Sequence, residues 1–298
     1  MWRLFVMAFV VLLHHPAAAA LNVFACEPEW GALTEELGGD AVSVYVATSA
    51  KQDPHQLQAR PSLIAKARGA DLVVCTGAEL EIGWMPVILR QAANGRIQPG
   101  TPGYFEAAPL VRLKDIPTVL DRSQGDVHAQ GNPHIQTDPR NLVPVAAALA
   151  ERLAHIDPAN AAAYRSRHQA FAQRWAQALQ RWQAEAARLK GVKVAVQHKN
   201  WSYLIDWLQL VEVTTLEPKP GVPPSSGHLA EVLARVTADP VRLVIRAAYE
   251  DGRPSAWLAE RAKVPAVELP FTVGGTDQAS DLTRLYDDTL RRLTEAVR

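Results

Sequence analysis

The chain has 298 residues, 48% of them apolar and 21% charged, a balance that suits a globular protein with room for two domains. Lysine plus arginine equals aspartate plus glutamate, 31 of each, so the formal net charge is zero. That balance excludes a broad basic footprint for nucleic acid or for an anionic membrane surface.

Residues 1–20 read as a secretory signal peptide. Arg3 supplies the positive charge, residues 4–13 form an apolar run, and the alanines ending at Ala20 offer an Ala-x-Ala cleavage site. The run is shorter than the roughly 20 residues needed to span a bilayer. No later segment reads as transmembrane, so the mature protein is expected to be exported. Val23-Phe24-Ala25-Cys26 is a weak match to a lipid-attachment site, because Phe24 is bulky and the apolar run lies too far upstream.

Residues 21–26, 42–46 and 71–75 read as strands. Helices are expected over 30–37, over 61–68, and along the run carrying Trp84, Ile88 and Leu89. Such alternation predicts a parallel sheet with helices on both faces and right-handed crossovers. Residues 94–126 are rich in turns. Residues 142–153 form a helix. Asp157-Pro158 then marks the start of a long one, with aspartate as cap and proline in the first turn, running to about Lys190. Tyr164, Phe171, Trp175, Ala178, Trp182 and Leu189 recur at helical spacing and give it one apolar stripe. Beyond Gly191 the alternation resumes, with strands over 192–197, 212–216, 241–245 and 266–269. Helices are expected over 201–208, 228–236, 254–263 and 281–297. The fold class is therefore α/β. It has an N-terminal lobe over 21–156, a linking helix over 157–191 and a C-terminal lobe over 192–298, with a ligand site in the cleft between the lobes. Cys26 and Cys75 each end an apolar strand; they are either a disulfide or two buried thiols.

Three of the nine histidines sit where a strand gives way to a loop or helix: His55 in Asp53-Pro54-His55, His134 in Asn132-Pro133-His134, and His198 after the fifth strand. Ligands of open parallel sheets bind at such strand ends. Neutral imidazole is a common ligand for zinc and similar ions, so these side chains are expected to converge on one metal. A closed zinc site wants four ligands. Asp277 is the first candidate for the fourth, because Gly274-Gly275 lets the backbone turn it inward. Asp281 and His128 are the alternatives. Protons compete for imidazole, so affinity is expected to fall below about pH 6.

These residues carry a family resemblance. The chain resembles the zinc- and manganese-specific solute-binding proteins of bacterial ABC importers, over the whole mature length. Asp53-Pro54-His55 with Pro61-Ser62 is similar to the family's first metal loop. Asn132-Pro133-His134 with Asp138-Pro139 is similar to its Asp-Pro-His-x-x-x-Asp-Pro motif, and His198 falls at its third ligand. The sequence departs from the family at Asn132, which replaces an aspartate, and in the near absence of the family's long His-rich loop, of which Gly125-Asp-Val-His128 remains. It also has no aspartate directly after the last strand. The resemblance implies a periplasmic metal binder rather than an enzyme. Its partner would be an ABC permease in the inner membrane, with a periplasmic metallochaperone as a further candidate, and it would act as a monomer. Three imidazoles with one carboxylate favour Zn2+ over Mn2+. Two other classes compete. A zinc hydrolase would need a general base such as Glu79, Glu81 or Glu250. An organic-solute binder would use Trp30, Trp84, Trp201 and Tyr203 in its cleft.

Overall fold

The computed structural model describes residues 19–119, 123 and 125–298. The expected signal peptide lies outside the described residues except for Ala19 and Ala20. Among the described residues no helix is long and apolar enough to cross a membrane.

Two parallel sheets organise the molecule. The first contains β1 (Leu21–Ala25), β2 (Val42–Val46), β3 (Leu72–Cys75) and β4 (Tyr104–Glu106), in the order β2-β1-β3-β4. The second contains β5 (Lys193–Val196), β6 (Val211–Thr215), β7 (Leu243–Ala247) and β8 (Ala266–Leu269), in the order β6-β5-β7-β8. Each sheet thus winds one way, then reverses beside its first strand, which opens a crevice at the strands' carboxyl ends. Helices α1 (Pro28–Gly38), α2 (Pro61–Arg68), α3 (Met85–Ala92) and α4 (Leu142–Ile156) belong to the first lobe. Helices α6 (Ser202–Leu208), α7 (Ser226–Ala238), α8 (Gly252–Ala262) and α9 (Leu282–Ala296) belong to the second, and α5 (Ala161–Ala186) lies between.

The strands are apolar because both faces of each sheet are covered. In β1, Val23 and Ala25 enter the large central core, while Phe24 enters a second core with Leu63, Trp84 and Ile88. In β7, Leu243 and Ile245 face the central core and Val244 the opposite one with Val232 and Leu258. The period of two is that of a pleated strand.

Helix α5 presents Tyr164, Phe171, Trp175, Ala178 and Trp182 as one buried stripe. Its 26 residues extend about 39 Å at ~1.5 Å each. The Trp175 indole donates to the Pro139 carbonyl at 2.9 Å, and Trp182 donates to Asp287 on α9 at 2.6 Å. The helix is therefore fastened to both lobes. Asp157 does not cap it as the sequence suggests. Its carboxylate accepts instead from the Asn160 amide and the Tyr164 hydroxyl, at 2.7 and 2.8 Å, and a short 3-10 turn precedes α5.

Cys26 and Cys75 form a disulfide. The pairing follows from topology: β1 and β3 are parallel neighbours, so their carboxyl ends meet. With both sulfurs buried in this bond, Cys26 offers no free thiol for lipid attachment. The bridge closes a loop over a separation of 49 residues. Cys75→Ser should lower the unfolding free energy by about 3 kcal/mol in denaturant titrations. An unchanged midpoint would show that the bond adds no stability.

Candidate metal centre

Four loops at the strands' carboxyl ends meet between the lobes. His55 leaves the loop between β2 and α2. Its Nδ1 lies 2.7 Å from Asp53 Oδ1, the atom that also accepts from the His55 backbone N–H at 3.0 Å. This local Asx-type turn fixes both backbone and ring. Pro54 is fixed too, since its carbonyl accepts from the buried Trp84 indole at 2.9 Å. Burial opposes charge on Asp53, but its bonds to His55 outweigh that and hold its pKa below the ordinary value.

His134 lies at the end of the long connection from β4, only 1% exposed. The Asn132 side-chain oxygen accepts from the His134 backbone N–H at 3.0 Å. The Asn132 amide donates to the Asp115 carboxylate and to the Lys199 carbonyl, each at 3.0 Å. This accounts for asparagine at that position. An aspartate could hold His134, but it would set a second carboxylate against Asp115 and could not donate to Lys199 in the other lobe. Asp138 caps the turn beyond, accepting from the Arg140 N–H, and α4 follows that turn.

His198 follows β5. Its Nδ1 lies 2.6 Å from Glu217 Oε2, which comes from the loop after β6. A carboxylate behind a ligating imidazole sets the tautomer and turns Nε2 toward the metal. Burial works against charge here, but Glu217 dominates and raises the His198 pKa. Glu217 was not legible as a site residue in the sequence; its only signal is an acidic side chain just beyond a strand end.

The three imidazoles converge. One nitrogen from each of His55, His134 and His198 lies within 4.8 Å of the others. The His128 ring lies beside this group without being part of it, its centre 5.2 Å from His55 and 6.4 Å from His134. His55 Nε2, His128 Nε2 and His134 Nδ1 are buried without a hydrogen-bond partner. Burial and the neighbouring imidazoles push the His134 pKa well down and that of His128 to about 4. Both rings are thus held neutral, with lone pairs free. Proton competition at these two sets in at lower pH than free imidazole suggests.

Asp277 does not join this cluster. It is exposed and lines a shallow surface hollow with Gln278, Arg284, Asp287, Asp288 and Arg291. After β8 the chain places Phe271 beside His134, with ring centres 5.4 Å apart. It then turns at Gly274, whose N–H donates to the Ala279 carbonyl at 2.7 Å, and carries residue 277 to the surface. Asp281 is a helix cap, accepting from the Arg284 N–H at 2.8 Å.

The residues of the competing readings have other partners. Glu79 accepts from the Ala129 N–H, Glu81 from those of Thr76 and Gly77, and Glu250 from that of Ala247. Burial raises the Glu250 pKa to about 7. Trp30, Trp84, Trp201 and Tyr203 are all core residues at 1% exposure or less.

Comparison with known proteins agrees with this architecture. A curated relative, the metal ABC transporter substrate-binding lipoprotein ScbA of Streptococcus cristatus, is 22% identical over 86% of this chain and 81% of its own. The manganese ABC transporter substrate-binding lipoprotein scaA of Streptococcus gordonii is 24% identical, covering 52% of this chain and 48% of its own. A crystal structure of ZnuA superposes with a TM-score of 0.77 at 20% identity, over 94% of this chain and all of that one (100%). The Mn-bound periplasmic metal binding protein of Candidatus Liberibacter asiaticus gives 0.75 at 15% identity, over 93% and 99%. These likenesses establish a shared fold. The model of the family described as ZnuA, zinc-uptake complex component A, periplasmic, matches residues 23–296, and the chain belongs to that family.

Proposed function

We propose that this protein captures Zn2+ in the periplasm with His55, His128, His134 and His198 and delivers it to an ABC permease in the inner membrane. The observation that carries this reading is the convergence of His55, His134 and His198, with His198 anchored by Glu217 and buried, unpartnered nitrogens on His55, His134 and the adjacent His128. Buried polar atoms are ordinarily satisfied, and a metal ion would satisfy these together. Four imidazole nitrogens match the tetrahedral preference of zinc. In this reading His128 takes the place first assigned to Asp277, and the carboxylates of Asp53 and Glu217 stand behind the ligands. Exchanging a carboxylate ligand for an imidazole moves the site further from the oxygen-rich surroundings that suit manganese. The cargo carries the chemistry here, and the protein supplies affinity and a cleft that the permease can open. It is expected to act as a monomer, exported by a cleavable signal peptide, and a periplasmic metallochaperone could load it.

The test uses the mature chain stripped with chelator. Competition against a zinc indicator should give one tight ion per chain, not displaced by equimolar Mn2+. Displacement of stoichiometric zinc by manganese would favour the manganese-specific alternative. No tight metal at all would remove the histidine centre as the functional site.

A further inference from the structure

Two metal ligands, one from each end of the cluster, are joined by a continuous set of contacts across the lobe junction. Glu217 Oε2 lies 2.6 Å from His198 Nδ1 and also accepts from the Gly221 N–H at 2.8 Å. The turn so fixed, residues 217–222, is the seat of the strap that carries His128. The Pro220 carbonyl accepts from the Asp126 N–H at 2.9 Å, and the Lys219 ammonium donates to the Ser123 carbonyl at 2.7 Å. The backbones approach so closely that no Cβ fits at Gly125, whereas at Gly221 the neighbour is the movable Asp126 carboxylate. A Cβ at Gly125 would meet the Pro220 oxygen at 2.2 Å, and one at Gly221 would meet Asp126 Oδ2 at 2.1 Å. Both glycines also have positive φ, +90° and +76°. On the first-lobe side the strap is pinned where the Ala129 N–H donates to Glu79 at 2.7 Å.

From this geometry we infer that Glu217 is a positioning residue for two ligands at once: it orients His198 directly and places His128 through the Pro220–Gly221 turn. The inference rests on the four-imidazole reading and deepens it. A single carboxylate thus ties the strap's seat, a turn of the second lobe, to that lobe's own ligand.

A double-mutant cycle tests this on the zinc-loaded mature chain, reading the affinity and the rate of zinc loss to excess chelator. Loss of such a supporting residue typically costs about 10- to 100-fold in metal affinity. Glu217→Ala is expected near the upper end, about 100-fold, in the wild-type background. In a His128→Ala background it should cost only about tenfold, because the strap no longer contributes. Glu217→Gln keeps one acceptor oxygen and should restore part of the loss. Gly125→Ala removes no atom of the His198–Glu217 pair and serves if Glu217→Ala does not fold. It should speed zinc loss about tenfold, with no further effect from adding His128→Ala. Equal losses from Glu217→Ala in both backgrounds, or unchanged kinetics in Gly125→Ala, would overturn the coupling. A wild-type chain that holds no tight zinc would instead overturn the underlying site reading, so the two failures are distinct.

Discussion

His134→Ala should weaken zinc binding by at least about 1,000-fold, or about 4 kcal/mol. His134 is the innermost of the four rings, its neighbours being His55, His198 and Phe271 at centre distances of 5.1, 5.9 and 5.4 Å. The vacated space is buried, so water could replace the ligand only at the cost of its own ordering. The backbone there is held independently of the ring, through Asn132 and through the Thr137 hydroxyl that donates to the His134 carbonyl at 2.9 Å. The variant should therefore fold, with unchanged far-ultraviolet circular dichroism, and lose metal alone. Competition titration beside the wild type reads the effect. A loss below about tenfold would mean that the ring packs the junction without touching the ion, and the ligand set would need revision. His128→Ala should cost less, because that ring comes from a strap and its removal leaves three converging ligands.

Glu29→Gln should change how stability depends on pH. Glu29, Glu27 and Glu81 are fully buried, and the Thr272 hydroxyl, from the segment after β8, donates to Glu29 across the lobe junction. Burial raises the Glu29 pKa from 4.5 to about 7, with its bond to Thr272 acting in the opposite direction. Glu81 is likewise raised to about 7 by burial, and Glu27 is pushed up by burial and by the carboxylates of Glu81 and Glu29. Between about pH 4.5 and 7 the folded chain holds a proton on Glu29 that the unfolded chain has released. The stability this contributes is fully present below about pH 4.5 and is lost as pH rises through about 7. Glutamine keeps an oxygen for Thr272 and does not titrate. The stability of the wild type relative to Glu29→Gln should therefore fall by about 3 kcal/mol between pH 5 and pH 8. Urea unfolding in the presence of chelator measures this without the added stability that bound metal gives. Parallel pH curves for the two proteins would show that Glu29 is ionised in the fold like any surface carboxylate.

Much of this protein is determined by short-range features of the sequence. Strand runs such as Val42–Val46 and Ala266–Leu269 are bounded by their own turn residues, and the aromatic stripe of α5 repeats at helical period. His55 and His134 are equally local, because Asp53 and Asn132 fix each ring's backbone from two residues away. What the sequence left open were the pairings made over long separations. Glu217 meets His198 from 19 residues away, and Asn132 reaches Lys199 from 67. The strap that brings His128 to the cluster sits on Pro220, a contact that exists only once the lobes face each other. Asp277 stays away from the cluster for the same reason. Local chemistry allowed Gly274-Gly275 to turn Asp277 inward. The fold instead fills that space with Phe271, packed on His134, Trp201 and Tyr249 at centre distances of 5.4, 5.5 and 5.3 Å. An aromatic ring gains more from burial there than an aspartate, whose charge would have to leave water, so packing rather than backbone freedom decides which side chain the last strand delivers to the cleft.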